Sequence, residues 1–110
     1  MKFLSLLLGS LFAVAAQAAD TAVSRIEIQK FAFTPKEITI AAGTTLVWTN
    51  HDETPHTIIA SDGSFVSKAM DTDDRYEHTF AAAGDYTYFC TLHPYMTGTI
   101  HVRATTAAGR

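Results

Sequence analysis

The stretch GDYTYFCTLHPYMTGTIHV, residues 84–102, decides how this chain is read. Its first part alternates, placing Tyr86, Tyr88 and Cys90 on one side of an extended strand. Its last part alternates too, with Ile100 and Val102 facing inward and His101 between them facing solvent. Between these strands lies the loop CTLHPYM, Cys90–Met96. It holds the only cysteine of the chain, a histidine three residues later and a methionine three residues after that.

The same period of two recurs upstream. RIEIQ points Ile26 and Ile28 one way, and Phe31 and Phe33 then break that parity, which predicts a bulge or bend near Gln29–Lys30. EITIAAG, TTLVWTN, HTIIA and RYEHTF read as further short strands, while residues 61–74 read as irregular. Gly84-Asp85-Tyr86 has the form of a tyrosine corner, in which a hydroxyl ties down a Greek-key crossover. Frequent turns and no long helical period predict an all-β fold, an antiparallel Greek-key β-sandwich of about seven to eight strands.

The N-terminus carries a different signal. Lys2 precedes an apolar run from Phe3 to Ala16, and Ala16-Gln17-Ala18 is an A-x-A cleavage pattern. The run is short of the roughly 20 apolar residues of a spanning helix. The reading is a cleaved signal peptide over residues 1–18, one domain over 19–104 and a frayed tail over 105–110. The mature protein is expected in the periplasm, as a monomer with no stable membrane association. Removing Lys2 with the signal moves the formal charge from −3 to −4, which argues against nucleic acid as a partner. One cysteine cannot form an internal disulfide, and a free thiol in an oxidising compartment invites damage. The cysteine is free, shared between chains or a metal ligand, and the exposure of a free thiol to damage tilts the reading towards a ligand.

Thiolate, imidazole and thioether together suit copper: two histidines and a cysteine with a weak axial methionine form a blue-copper ligand set. The loop supplies Cys90, His93 and Met96, so one more histidine is needed. His56, in NHDETPHTII, is the best candidate, and His51 lies a few residues earlier in a polar turn. His51, His78 and His101 otherwise read as ordinary side chains.

At this point the chain resembles a known family. WTNHDETPHT together with HTFAAAGDYTYFCTLHPYMTGTIHV is similar to the cupredoxins, the type 1 blue copper proteins. The C-x-x-H-x-x-M spacing is closest to amicyanin, with plastocyanin and pseudoazurin next. The resemblance implies one copper ion with His56, Cys90, His93 and Met96 as ligands. It implies a shuttle for single electrons rather than an enzyme, since four protein ligands leave no open position for substrate. Redox proteins would be the partners, a dehydrogenase or other reductase as donor and a cytochrome c or oxidase as acceptor. They would dock on an apolar surface around His93. The alternative is a protein for copper storage, delivery or resistance, although only Met70 and Met96 follow Met1 and there is no Met-rich tract. The resemblance further implies that Thr57 and Thr91 tie the two ligand loops together. Leu92 stands where amicyanin carries proline, and its N–H is expected to donate to the Cys90 sulfur.

Overall fold

The computed structural model describes residues 22–105. The expected signal peptide and most of the expected tail lie outside them. Among the described residues eight strands form: β1 (Val23–Gln29), β2 (Ala32–Thr34), β3 (Glu37–Ala41), β4 (Thr44–Asn50), β5 (Ile59–Ala60), β6 (Arg75–Phe80), β7 (Gly84–Phe89) and β8 (Thr97–Arg103). They pack as two four-stranded sheets, ordered β2-β1-β4-β6 and β3-β8-β7-β5. The sandwich is the one expected, with one refinement. β1 runs parallel to β4 and β3 parallel to β8, so both sheets are mixed.

Alternation builds the core. Ile26 and Ile28 from β1, with Leu46 and Trp48 from β4, are fully buried on one inner face. Tyr88, Ile100 and Val102 meet them from β7 and β8. The Trp48 and Tyr88 rings cross edge to face at 5.5 Å, joining the two sheets through their largest side chains. Gly98 lies opposite Tyr88 in the β7·β8 register. Its missing side chain leaves the space that the Tyr88 ring fills. The tyrosine corner forms as expected, with the Tyr86 hydroxyl donating to the Ala82 carbonyl at 2.8 Å.

Two departures have local causes. The parity break after Ile28 is a two-residue hairpin rather than a bulge. Lys30 and Phe31 link the Gln29↔Ala32 pair, and both have positive φ, 55° and 57°, as a type I′ turn requires. The strand expected over HTIIA is cut to Ile59–Ala60 because side chains capture its amides. The Thr57 N–H donates to the Cys90 sulfur and the Ile58 N–H to the Ser67 hydroxyl.

His101 faces outward from β8, as its neighbours imply. Its ring bridges two flanking strands, with Nδ1 2.8 Å from Asp85 and Nε2 2.5 Å from Glu37. Those hydrogen bonds, that of Glu37 foremost, raise its pKa above the ordinary 6.5. The bridge therefore stabilises the fold fully below about pH 6.5 and loses that contribution as pH rises through the folded value. Thermal melts of the metal-free protein should reflect this. The advantage over His101→Gln is expected to be largest near pH 6 and to shrink as the pH is raised.

Candidate metal centre

The candidate site sits where β4 and β7 end and β8 begins, and each of its residues is held by backbone first. Cys90 follows β7 directly. Its carbonyl accepts the His93 N–H at 3.2 Å, and the His93 carbonyl accepts the Met96 N–H at 2.8 Å. The loop is thus two successive i→i+3 turns, with Pro94 at the second position of the latter. The two-residue gaps of C-x-x-H-x-x-M follow from this, since each turn carries the chain from one donor residue to the next. The Cys90 N–H closes the loop on the Met96 carbonyl at 3.2 Å.

His56 arrives on a separate segment. Its backbone pairs with Met70 in both directions, His56 N–H to Met70 O at 3.1 Å and Met70 N–H to His56 O at 2.8 Å. Asn50, buried at the end of β4, braces that segment. Its amide donates to the Thr54 and Met70 carbonyls, and its oxygen accepts the Asp52 N–H.

The three side chains converge. The ligating atoms of His56, Cys90 and His93 all lie within 4.8 Å of one another. The Cys90 sulfur is 3.7 Å from His56 Nδ1 and 3.8 Å from His93 Nδ1. Cys90 and His56 are fully buried, and His93 is partly exposed. Met96 is buried in the same loop. Of the expected donors, then, His56, Cys90 and His93 meet directly, with Met96 at the loop's end. His51 does not join them and points to Glu27. This is the one such group of histidine, cysteine and carboxylate donors among the described residues.

Hydrogen bonds around the donors set their chemistry. His56 Nε2 lies 2.8 Å from the Asp52 carboxylate, which places the proton there and leaves the Nδ1 lone pair facing the thiol. Burial alone would raise the pKa of Asp52, but the Phe31 N–H, the His56 ring and the Lys30 N–H outweigh it and hold the carboxyl below its ordinary value. The sulfur receives the Thr57 N–H at 3.3 Å and the Thr57 hydroxyl at 3.7 Å. Its donors are therefore on Thr57, and the expected role of the Leu92 N–H is not what the fold provides. Leu92 instead turns its side chain to solvent, 51% exposed. The expected tie between the ligand loops is present. The Thr57 hydroxyl oxygen accepts the Thr91 N–H at 2.9 Å and lies 3.0 Å from the Thr91 hydroxyl.

Two contributors escaped the sequence reading. Asp52 stands four residues before His56, a spacing that was its only signal. Phe31 sits at the tip of the β1–β2 hairpin, with its ring 5.2 Å from that of His56 and 4.9 Å from that of His93. Its signal was the broken alternation after Ile28.

A soft sulfur and two inward imidazole nitrogens in a pre-formed, largely buried cluster fit copper better than a hard cation, which would call for oxygen donors. Comparison with known proteins agrees. The chain matches the cupredoxin-like domain family over residues 2–102. It is 42% identical to amicyanin from Paracoccus versutus over 89 residues, spanning 76% of this chain and 66% of that protein. It is 32% identical to plastocyanin from Nostoc punctiforme, spanning 89% of this chain and 86% of that protein. A purple cupredoxin from Nitrosopumilus maritimus has a similar structure, with TM-score 0.67 and 33% identity, over 72% of this chain and 98% of that one.

Proposed function

The chain belongs to the cupredoxin-like family, whose members hold one copper ion, and from this we propose that it is a periplasmic type 1 copper protein that shuttles single electrons between redox proteins. The observation that carries the reading is the convergence of His56 Nδ1, His93 Nδ1 and the Cys90 sulfur in one cluster, buried but for the His93 ring. His56, Cys90 and His93 would hold the ion, with Met96 as a weaker fourth donor. When bound there, copper supplies a one-electron Cu(II)/Cu(I) couple.

The protein's own contribution is to keep the donors still. His56 is fixed by Asp52 at its ring and by Met70 along its backbone. The Cys90 sulfur is fixed by Thr57, and His93 by the two turns of the loop. Donors that do not move between redox states keep reorganisation small, and electrostatic support from the Thr57 N–H favours charge on the sulfur.

His93 is the way out. Its ring is partly exposed among Leu92 (51% exposed), Tyr95 (70%) and Phe31 (38%). An apolar rim of this kind suits a small interface that forms and releases quickly. A dehydrogenase or other reductase would deliver electrons there, and a cytochrome c or oxidase would remove them. The apolar run and A-x-A pattern within residues 1–18 support export to the periplasm, which would leave the domain of residues 19–104 to act there as a monomer.

Titration of the metal-free mature protein with Cu(II) tests this reading. An intense blue colour with a one-to-one end point is expected, followed by rapid electron exchange with a cytochrome c. A colourless complex that exchanges no electrons would favour copper storage or delivery instead.

A further inference from the structure

Phe31 occupies a position that its residue type resists. Both residues of the β1–β2 turn have positive φ, and a type I′ turn is served best by Asn or Gly. A bulky aromatic in the left-handed region is an outlier, and such strain persists where the surrounding structure over-determines it. The strain here places one ring against two others. Phe31 meets His56 at 87° and His93 at 84°, both edge to face, while the two imidazoles meet each other at 5.0 Å. His56 and His93 come from different segments, and their Nδ1 atoms have no covalent reason to face the same sulfur.

The turn itself is anchored. The Asp52 carboxylate accepts the Lys30 N–H at 2.7 Å and the Phe31 N–H at 2.9 Å. Its Oδ2, the same oxygen that takes the Phe31 N–H, is the partner of His56 Nε2. One carboxylate therefore sets the position of the aromatic ring and the orientation of the imidazole it covers. The 38% exposure of Phe31 indicates that core burial is not what holds its ring there.

We propose that Phe31 is a positioning residue of the metal site: clasped by Asp52, its ring locks both imidazoles with Nδ1 turned inward before any ion arrives. The inference rests on the metal-site reading above and adds a residue to it. Edge-to-face packing restricts rotation of each imidazole about its Cβ–Cγ bond without occupying either nitrogen. The site then recruits its ion without first having to order two rings, and preorganisation of that kind appears as tighter binding.

The test separates the ring from the turn. Phe31→Asn suits the left-handed backbone and removes the ring, whereas Phe31→Tyr keeps the ring. Co(II) is the probe, its affinity measured by competition with a chelator and its geometry by visible absorption. The metal-free Phe31→Asn protein is expected to melt within a few degrees of the unaltered protein. Its Co(II) affinity should fall about 10-fold or more, in the range seen when a ligand loses its supporting partner. The absorption bands should broaden or shift, and imidazole proton resonances of the metal-free form should show exchange. Phe31→Tyr should restore all three. Unaltered affinity and spectrum in Phe31→Asn would overturn the proposal. So would a metal-free melt lowered enough to account for the affinity loss, because the ring would then serve the fold alone. Failure of the unaltered protein to bind Co(II) or Cu(II) would instead overturn the metal-site reading, and this inference with it.

Discussion

Cys90→Ser protein is expected to fold as before and to give no intense blue colour with Cu(II) at any ratio. The substitution changes one buried atom, so circular dichroism and the metal-free melt should stay close to those of the unaltered protein. What disappears is the soft, charge-donating ligand. A hydroxyl does not ionise near neutral pH, and its oxygen is hard where sulfur is soft. Its shorter bond from Cβ also draws the acceptor away from the Thr57 N–H, which reaches the sulfur at 3.3 Å. His56 and His93 remain, so some Cu(II) still binds, colourless and weakly. The loss of affinity should exceed the roughly 10–100-fold that follows removal of a supporting partner, because a direct donor is lost. Absorption spectroscopy and a competition titration read both effects. A blue Cys90→Ser complex would remove Cys90 from the site.

Gly98→Ala should be the most damaging single methyl in the sandwich. A Cβ at Gly98 would lie 2.3 Å from Tyr88 Cζ and 2.4 Å from its hydroxyl oxygen, distances no real pair of atoms tolerates. The ring cannot yield easily. It is 1% exposed and wedged between Phe33 at 4.7 Å and Trp48 at 5.5 Å. Overpacking of this kind costs about 3 kcal/mol, the upper part of the usual range. For a domain of this size that corresponds to a Tm lower by roughly 10–20 °C. Tyr88 lies two residues before Cys90 and Gly98 two after Met96, so both ends of the ligand loop would feel the strain. Combining Gly98→Ala with Tyr88→Leu should recover part of the loss. A single variant that melts like the unaltered protein would show that the Tyr88 ring has a second place to go.

Much of this was legible in the sequence, and the reasons are physical. CTLHPYM could be read because its order is local. Each ligand-to-ligand step is one turn, and a turn has a fixed number of residues. The inner faces of β1, β4, β7 and β8 could be read because period-two alternation reports which side a residue takes. Alternation does not report which strand lies beside which, so the parallel pairings of β1 with β4 and β3 with β8 were not visible. Nor could a periodicity show that the Thr57 and Ile58 amides are diverted to a thiol and a hydroxyl, cutting short the strand expected over HTIIA. Asp52 and Phe31 escaped for a related reason. Their role depends on a hairpin tip docking against a loop about twenty residues away, and neither segment announces the other. The Leu92 N–H is expected at the sulfur because leucine replaces the family's proline, whereas the donors that reach the sulfur are on Thr57.

The order of strands in the second sheet governs when the site can exist during folding. β8 is the last strand among the described residues yet lies inside its sheet, between β3 and β7. β3, formed by Glu37–Ala41, has no other neighbour in that sheet and must wait for residues 99–103 before its ladder can form. Parallel pairing across about sixty residues is a contact of high sequence separation, which folds late and slowly. β8 also begins one residue after Met96, so the loop is pinned at both ends only when that strand docks. On this topology Cys90 is expected to stay an unprotected thiol until β8 docks. A C-terminal truncation that removes β8 should therefore leave β3 unpaired and the cysteine reactive, readable as rapid labelling by a thiol reagent under conditions where the full chain resists it.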